Sequence, residues 1–165
     1  MSRFLEDWGP TLVSAAGVTV VAVAGALLTD LSPWYRALKK PTWQPPDWLF
    51  GPMWTSIFIL EATAGVISWH ALKLSFPLYL LIALFFLNAG LNVLWSYFFF
   101  KKHRPDYAQA EVPFLWLSIL APMIALYIYV GWAWVLLLPY LIWVSIAAYL
   151  NYTIVRMNAP FTGAA

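Results

Sequence analysis

The sequence predicts an all-α fold, an integral membrane bundle of five transmembrane helices, and three observations lead there. Hydrophobic residues make up 63% of the 165 and charged residues 10%, where a soluble domain carries roughly 45–50% and 25%. The charges gather in short clusters with long uncharged stretches between them, so water is not the main solvent of this surface. Residues 112–155 contain no Asp, Glu, Lys or Arg; as helix they run about 66 Å, roughly twice the hydrocarbon thickness of a bilayer, and must cross it twice. Runs such as "PLYLLIALFFL" are apolar on every face, which excludes a barrel of alternating strands.

The spans follow in order as residues 11–29, 50–69, 74–100, 112–130 and 132–155, within a single domain covering 1–165. Small residues at Ala22, Ala24 and Ala26 could belong to a cleaved leader, but Arg3 is offset by Glu6 and Asp7, a poor positive start, so the first span is expected to stay. The second is interrupted by a lone Glu61. Gly131 supplies the turn that divides the uncharged stretch into the fourth and fifth spans. Residues 30–49 are the one connection long enough for structure of its own. They hold Pro33, Pro41, Pro45 and Pro46 among Trp34, Trp43 and Trp48, and each proline restricts its own backbone and that of the residue before it. An interfacial aromatic belt is the plainer account of these indoles.

Five crossings put the termini on opposite sides. Arg3 and Lys73 then share one face, whereas Arg36, Lys39, Lys40, Lys101, Lys102, Arg104 and Arg156 share the other. The positive-inside rule makes the first loop, third loop and C-terminus cytoplasmic. A net charge of +2 distributed beside spans is no nucleic-acid surface. The absence of cysteine excludes disulfides, thiolate metal sites, iron–sulfur clusters and a cysteine nucleophile. His70 and His103 fall at opposite faces and cannot share a metal, so no metal site is expected. There is no glycine-rich phosphate loop and no Ser, His and acid set at one depth.

Asn88, Asn92 and Trp95 recur at spacings of four and three, on one helical face that should point away from lipid. Intramembrane Asn commonly ties helices together, and that role stands beside a pocket role for both amides. Counted from the flanking cations, Asn92 lies about 13 Å, Asn151 about 7 Å and Trp143 about 20 Å from the cytoplasmic end, with Trp54 roughly one turn inside it. Trp54, Asn92, Trp95, Trp143 and Asn151 therefore share the cytoplasmic half of three helices, beneath the stiff loop. Indoles offer flat apolar walls with one donor each, and amides a donor and an acceptor, a lining suited to a planar hydrophobic ligand. Glu61 falls nearly on the Trp54 face, without a second buried acid, and reads as a structural acid more readily than as a proton relay.

Three segments, "WYRALKKPTWQPPDWLFGPMWTSIF" (34–58), "LNVLWSYFFF" (91–100) and "PYLIWVSIAAYLNYTIVRMN" (139–158), cover a third of the chain. In order and in span count they resemble the TspO/MBR family, the tryptophan-rich sensory and translocator proteins related to the peripheral benzodiazepine receptor. The resemblance implies a five-helix bundle, often homodimeric, with no obligatory cofactor, that takes porphyrin, haem-related tetrapyrroles or sterol-like molecules in a pocket under the first loop. Tyr35, Trp54, Asn92 and Trp143 match ligand-binding positions, and Ala147 matches a small-residue position one turn beyond Trp143. Trp43, Pro45 and Pro46, with Trp95 and Asn151, complete the expected ligand-binding set. Trp54 and Trp143 are the candidates for assisting light- or oxygen-dependent porphyrin breakdown, and enzyme activity stays open. Leu150, Tyr152 and Arg156 satisfy a short sterol pattern that is weak alone. The membrane implied is the cell membrane for a bacterial chain and the mitochondrial outer membrane for a eukaryotic one. Glu61 departs from the family, which has an apolar residue there.

Two other functions stay open. A transporter of porphyrin or sterol is disfavoured by the lack of internal duplication or paired broken helices. A structural or partner-binding role could use Ala22 and Ala26, whose small side chains let helices approach closely.

Overall fold

The computed structural model describes residues 2–161, with side chains from Trp8 onward; those of Arg3, Glu6 and Asp7 lie outside the described set. The order is α1 (Ser2–Leu28), α2 (Pro33–Ala37), α3 (Asp47–Leu72), α4 (Phe76–Ser96), α5 (Pro105–Tyr129) and α6 (Leu138–Asn158). Five helices are long and apolar enough to cross a membrane, and no strand occurs among the described residues. The protein is thus an all-α, multi-pass membrane protein.

Chain chemistry places the ends of these helices. Pro46, at φ −61° and ψ 143°, precedes α3 and holds the chain extended up to its first turn. Pro105 occupies the first turn of α5, where a missing N–H costs nothing, and Asp106 beside it complements the helix dipole. Helix α5 therefore begins seven residues earlier than the charge pattern suggested, because polar residues 105–111 extend the helix instead of belonging to the loop. At the end of α4 the backbone widens into a π turn over Tyr97–Lys101 before the chain reverses. Gly131, at φ 84°, makes the turn after α5, a conformation that L-residues with a Cβ avoid. Its N–H bonds the Leu126 carbonyl at 2.9 Å, and a 3-10 turn over Trp132–Leu137 leads into α6.

The helices form a ring in the order α1, α4, α5, α6, α3, in which the 3-10 turn at the start of α6 makes the contact with α3, and which closes where α1 lies on α3. The consecutive pair α3 and α4 barely touch. A larger core gathers Ile57, Leu81, Ile119, Leu126 and Val144, and a smaller one gathers Tyr35, Phe99, Ala108, Leu150 and Ile154. Phe50 and Trp95 pack against both.

The first loop, the α4–α5 connection and the end of α6 meet at one end. The Lys39 N–H donates to Asn158 Oδ1 and Asn158 Nδ2 donates back to the Lys39 carbonyl, both at 2.8 Å. Trp34 stacks on His103 at 4.2 Å, and Trp43 on Tyr149 at 5.2 Å. Arg104 and Asp106 form a bidentate pair there, the only ion pair among the described residues.

Candidate functional site: a roofed cavity among the helices

A cavity of about 550 Å³ opens inside the ring beneath the first loop, within the range of small-molecule sites. Each spanning helix and the loop contribute to it. From α3 come Asp47, Phe50, Trp54 and Phe58; from α4 come Asn92, Trp95 and Ser96, with Phe100 from the π turn that continues it; from α5 come Val112 and Leu115; from α6 come Trp143, Val144 and Ala147. Helix α1 closes one side with Val21, Ala22, Gly25, Ala26 and Thr29, and Tyr35 of α2 roofs the space. The small side chains of α1 set its width.

Aromatic packing holds the walls. The Trp54 ring meets Tyr140 edge-on at 5.8 Å and stacks with Phe58 at 5.5 Å. Trp143 meets Phe50 edge-on at 5.3 Å, and Trp95 stacks on Phe99 at 5.1 Å. Offset and edge-on pairs of this kind add about 0.5–1.5 kcal/mol each beyond burial. Below them runs a buried polar chain. Asn92 Nδ2 donates to Tyr140 Oη at 2.9 Å, Tyr140 Oη donates to Asn88 Oδ1 at 3.2 Å, and Asn88 Nδ2 donates to Ser118 Oγ at 2.9 Å. Asn88 thus ties α4 to α5 and α6, while Asn92 both joins this chain and lines the cavity.

The roof is polar. Tyr35 Oη donates to Asp47 Oδ1 at 3.3 Å, Gln44 Nε2 donates to the same oxygen at 3.2 Å, and Lys40 Nζ lies 3.4 Å from the centre of the Tyr35 ring. Burial, then the Asp47 charge and the hydrogen bond to Asp47, push the Tyr35 hydroxyl up to about 12, with the Gln44 contact acting the other way. Burial also lowers the Lys40 ammonium below its ordinary value, against the opposing pull of Asp47.

Of the expected site residues, Tyr35, Trp54, Asn92, Trp95, Trp143 and Ala147 line this one cavity. Trp43, Pro45, Pro46 and Asn151 do not. Trp43 lies outside, on Tyr149, because the loop turns at residues 42–43 before descending into α3. Pro45 and Pro46 shape the approach to α3 without facing the cavity. Asn151 is two turns past Trp143, where α6 meets the first turn of α5, and its Nδ2 donates to the Pro105 carbonyl at 3.3 Å. The sterol-pattern residues diverge as well. Leu150 is in the smaller core, whereas Tyr152 and Arg156 are exposed one turn apart, with Arg156 Nη1 donating to Tyr152 Oη at 3.0 Å.

Glu61, two turns beyond Trp54, is half-buried and outside the lining. It is not the one acid in the bundle. Glu111 is 6% exposed, and neither of its oxygens has a hydrogen-bond partner among the described residues. Its spacing from Ala108, Val112 and Leu115 puts it on the inward face of α5, a signal hidden while residues 105–111 counted as loop. Phe50, Phe58 and the α1 wall were also missed, since apolar and small residues in a span look alike whichever face they occupy, and Asp47 was missed because it counted as part of the loop.

Comparison with known proteins agrees with this architecture. The model of the TspO/MBR family matches residues 12–157. The chain belongs to the TspO/MBR family. It is 37% identical to the tryptophan-rich protein TspO of Chlorobaculum tepidum, over 90% of this chain and 96% of that protein. It is 36% identical to the tryptophan-rich sensory protein of Cereibacter sphaeroides, over 92% and 93%. The translocator protein of Sus scrofa is 29% identical, over 90% and 92%. TspO/MBR membership, in bacteria and animals alike, supports a membrane sensor or transporter role for this chain.

Proposed function

We propose that this TspO/MBR protein is a membrane receptor of the sensor type that binds a planar hydrophobic ligand, of the porphyrin or haem-related tetrapyrrole class, in the cavity under the first loop. One observation carries the proposal: Trp54, Trp95 and Trp143, from three different helices, wall a single space of about 550 Å³ roofed by Tyr35. Flat indole walls suit a flat aromatic macrocycle, because stacking rewards large parallel faces without demanding a particular hydrogen-bond pattern. The end bearing Arg36, Lys39, Lys40, Lys101 and Lys102 is the cytoplasmic one on the positive-inside rule, so the ligand is taken from the cytoplasmic half of the bilayer or from the cytoplasm. Sterol-like ligands are assigned to the same cavity and not to the segment from Leu150 to Arg156, whose side chains diverge.

Protoporphyrin added to the purified protein in non-ionic detergent is expected to quench tryptophan fluorescence saturably. Trp54→Ala and Trp143→Ala are each expected to weaken that binding about five- to tenfold, the scale of one lost aromatic contact. Quenching that never saturates, or that keeps its affinity in both variants, refutes the proposal.

A further inference from the structure

The spans hold carboxyls but no base. No Lys, Arg or His occurs in residues 8–29, 48–69, 74–100 or 105–155, whereas α3 carries Glu61 and α5 carries Glu111. Glu111 is the more enclosed of the two, 6% exposed, and both of its oxygens are buried without a hydrogen-bond partner among the described residues. An ionised carboxylate with neither a counter-charge nor a donor is among the costliest groups to bury, and within a bilayer no bulk water relieves it. A carboxyl that carries its own proton avoids that cost.

Position ties this acid to the cavity. Val112, beside it in sequence, and Leu115, one turn on, both line the space. Tyr140 of α6 lies within reach of the charge on Glu111, and its hydroxyl accepts from Asn92, a lining residue. Among the described residues, the other ionisable groups on the surrounding elements are Glu61 of α3, which also acts on Tyr140, and Asp106 in the first turn of α5, paired with Arg104. Asp47, Tyr35 and Lys40 are in the roof. Helix α4 offers only the amides Asn88 and Asn92 on its inner face, and α1 offers no ionisable side chain from Trp8 to Leu28. We infer that Glu111 is a proton-binding site and that a ligand entering the cavity takes up a proton there. A filled cavity leaves less room for water near Glu111, which makes the charged form costlier still. Ligand and proton then favour one another to the same degree. This rests on the cavity reading above and deepens it by coupling binding to a proton.

The test uses protoporphyrin dimethyl ester, which has no carboxyl of its own to titrate, and follows tryptophan quenching in non-ionic detergent from mildly acid to mildly alkaline pH. The unsubstituted protein is expected to bind most tightly on the acid side and to weaken on the alkaline side by up to about tenfold per pH unit, the slope of one coupled proton. Glu111→Gln keeps the shape of the neutral acid and should hold the tight affinity at every pH, whereas Glu61→Gln should keep the pH dependence. Replacing sodium chloride with choline chloride should change nothing, because the neutralising cation is a proton. Should Glu111→Gln fail to fold, the infrared carbonyl band of a protonated carboxyl is read in the unsubstituted protein at alkaline pH, where it should grow on addition of the ester. An affinity level across pH, a slope that survives in Glu111→Gln, an affinity that follows sodium, or an infrared band indifferent to the ester overturns the inference and leaves the cavity reading standing. Saturable binding at no pH overturns both.

Discussion

At the residue scale, the roof is governed by single groups whose environments differ from those of their chemical neighbours. Tyr35 is buried and hydrogen-bonded to Asp47, so its phenol holds its proton up to about 12, whereas a free tyrosine titrates near 10. Because the folded value is the higher one, the stabilisation that Tyr35 lends the loop is complete below about pH 10. It is lost as the pH rises from there to about 12. The difference in tyrosinate absorbance between the unsubstituted protein and Tyr35→Phe is expected to have its midpoint near pH 12; a midpoint near 10 would mean that the phenol is solvated. Glu111 shows the opposite situation, a buried carboxyl on the inner face of α5 with no protein partner. The uncharged run from residue 112 left it outside the expected span, although its spacing from Ala108, Val112 and Leu115 places it on the inward face.

At the scale of the element, the loop of residues 30–49 is held by three clamps, the Trp34–His103 stack, the Lys39–Asn158 pair and the Trp43–Tyr149 stack. Proline content suggests stiffness, but the partners that set the loop's position come from residues 69 to 119 positions away, and no local pattern names them. Asn158→Ala removes two reciprocal hydrogen bonds, worth about 0.5–1.5 kcal/mol each. The Lys39 amide is expected to exchange with solvent about five- to 150-fold faster in that variant while amides in the middle of α5 keep their rates. Equal acceleration in α5 would show that the pair stabilises the whole bundle and not the loop. The same contrast between local and distant causes applies to helix ends. Gly131 announced itself by residue type, whereas the start of α5 at Pro105 was missed and the π turn after Ser96 has no signature in "SYFFFK".

At the scale of the whole molecule, the ring order α1, α4, α5, α6, α3 brings Trp54, Asn92 and Trp143 around one space and places α1 as its remaining wall. A Cβ built on Gly25, one of the wall residues, meets nothing within 4 Å, so a side chain can start from this position beside the cavity. Gly25→Leu is expected to lower protoporphyrin affinity at least tenfold. The melting temperature should stay the same or rise, since leucine is favoured over glycine in a helix interior by about 0.5–1 kcal/mol. Unchanged affinity would place the ligand elsewhere.

The sequence by itself determined the solvent, the number of spans and the end of the bundle that carries the basic residues, and it singled out Tyr35, Trp54, Asn92, Trp95, Trp143 and Ala147, which the structure gathers around one cavity. All of these follow from composition, helical period and distance along a helix axis, or from the family resemblance those segments carry, and a bilayer makes the first three strong constraints on any chain this apolar. Only the tertiary structure decided which way each apolar face turns. It put Trp43 and Asn151 outside the cavity, Glu111 inside the bundle and the small residues of α1 along the wall. In a membrane, lipid and protein interior are equally apolar, so the hydrophobic pattern that separates inside from outside in water carries little of that information here, and rotation about each helix axis is set by packing against its neighbours.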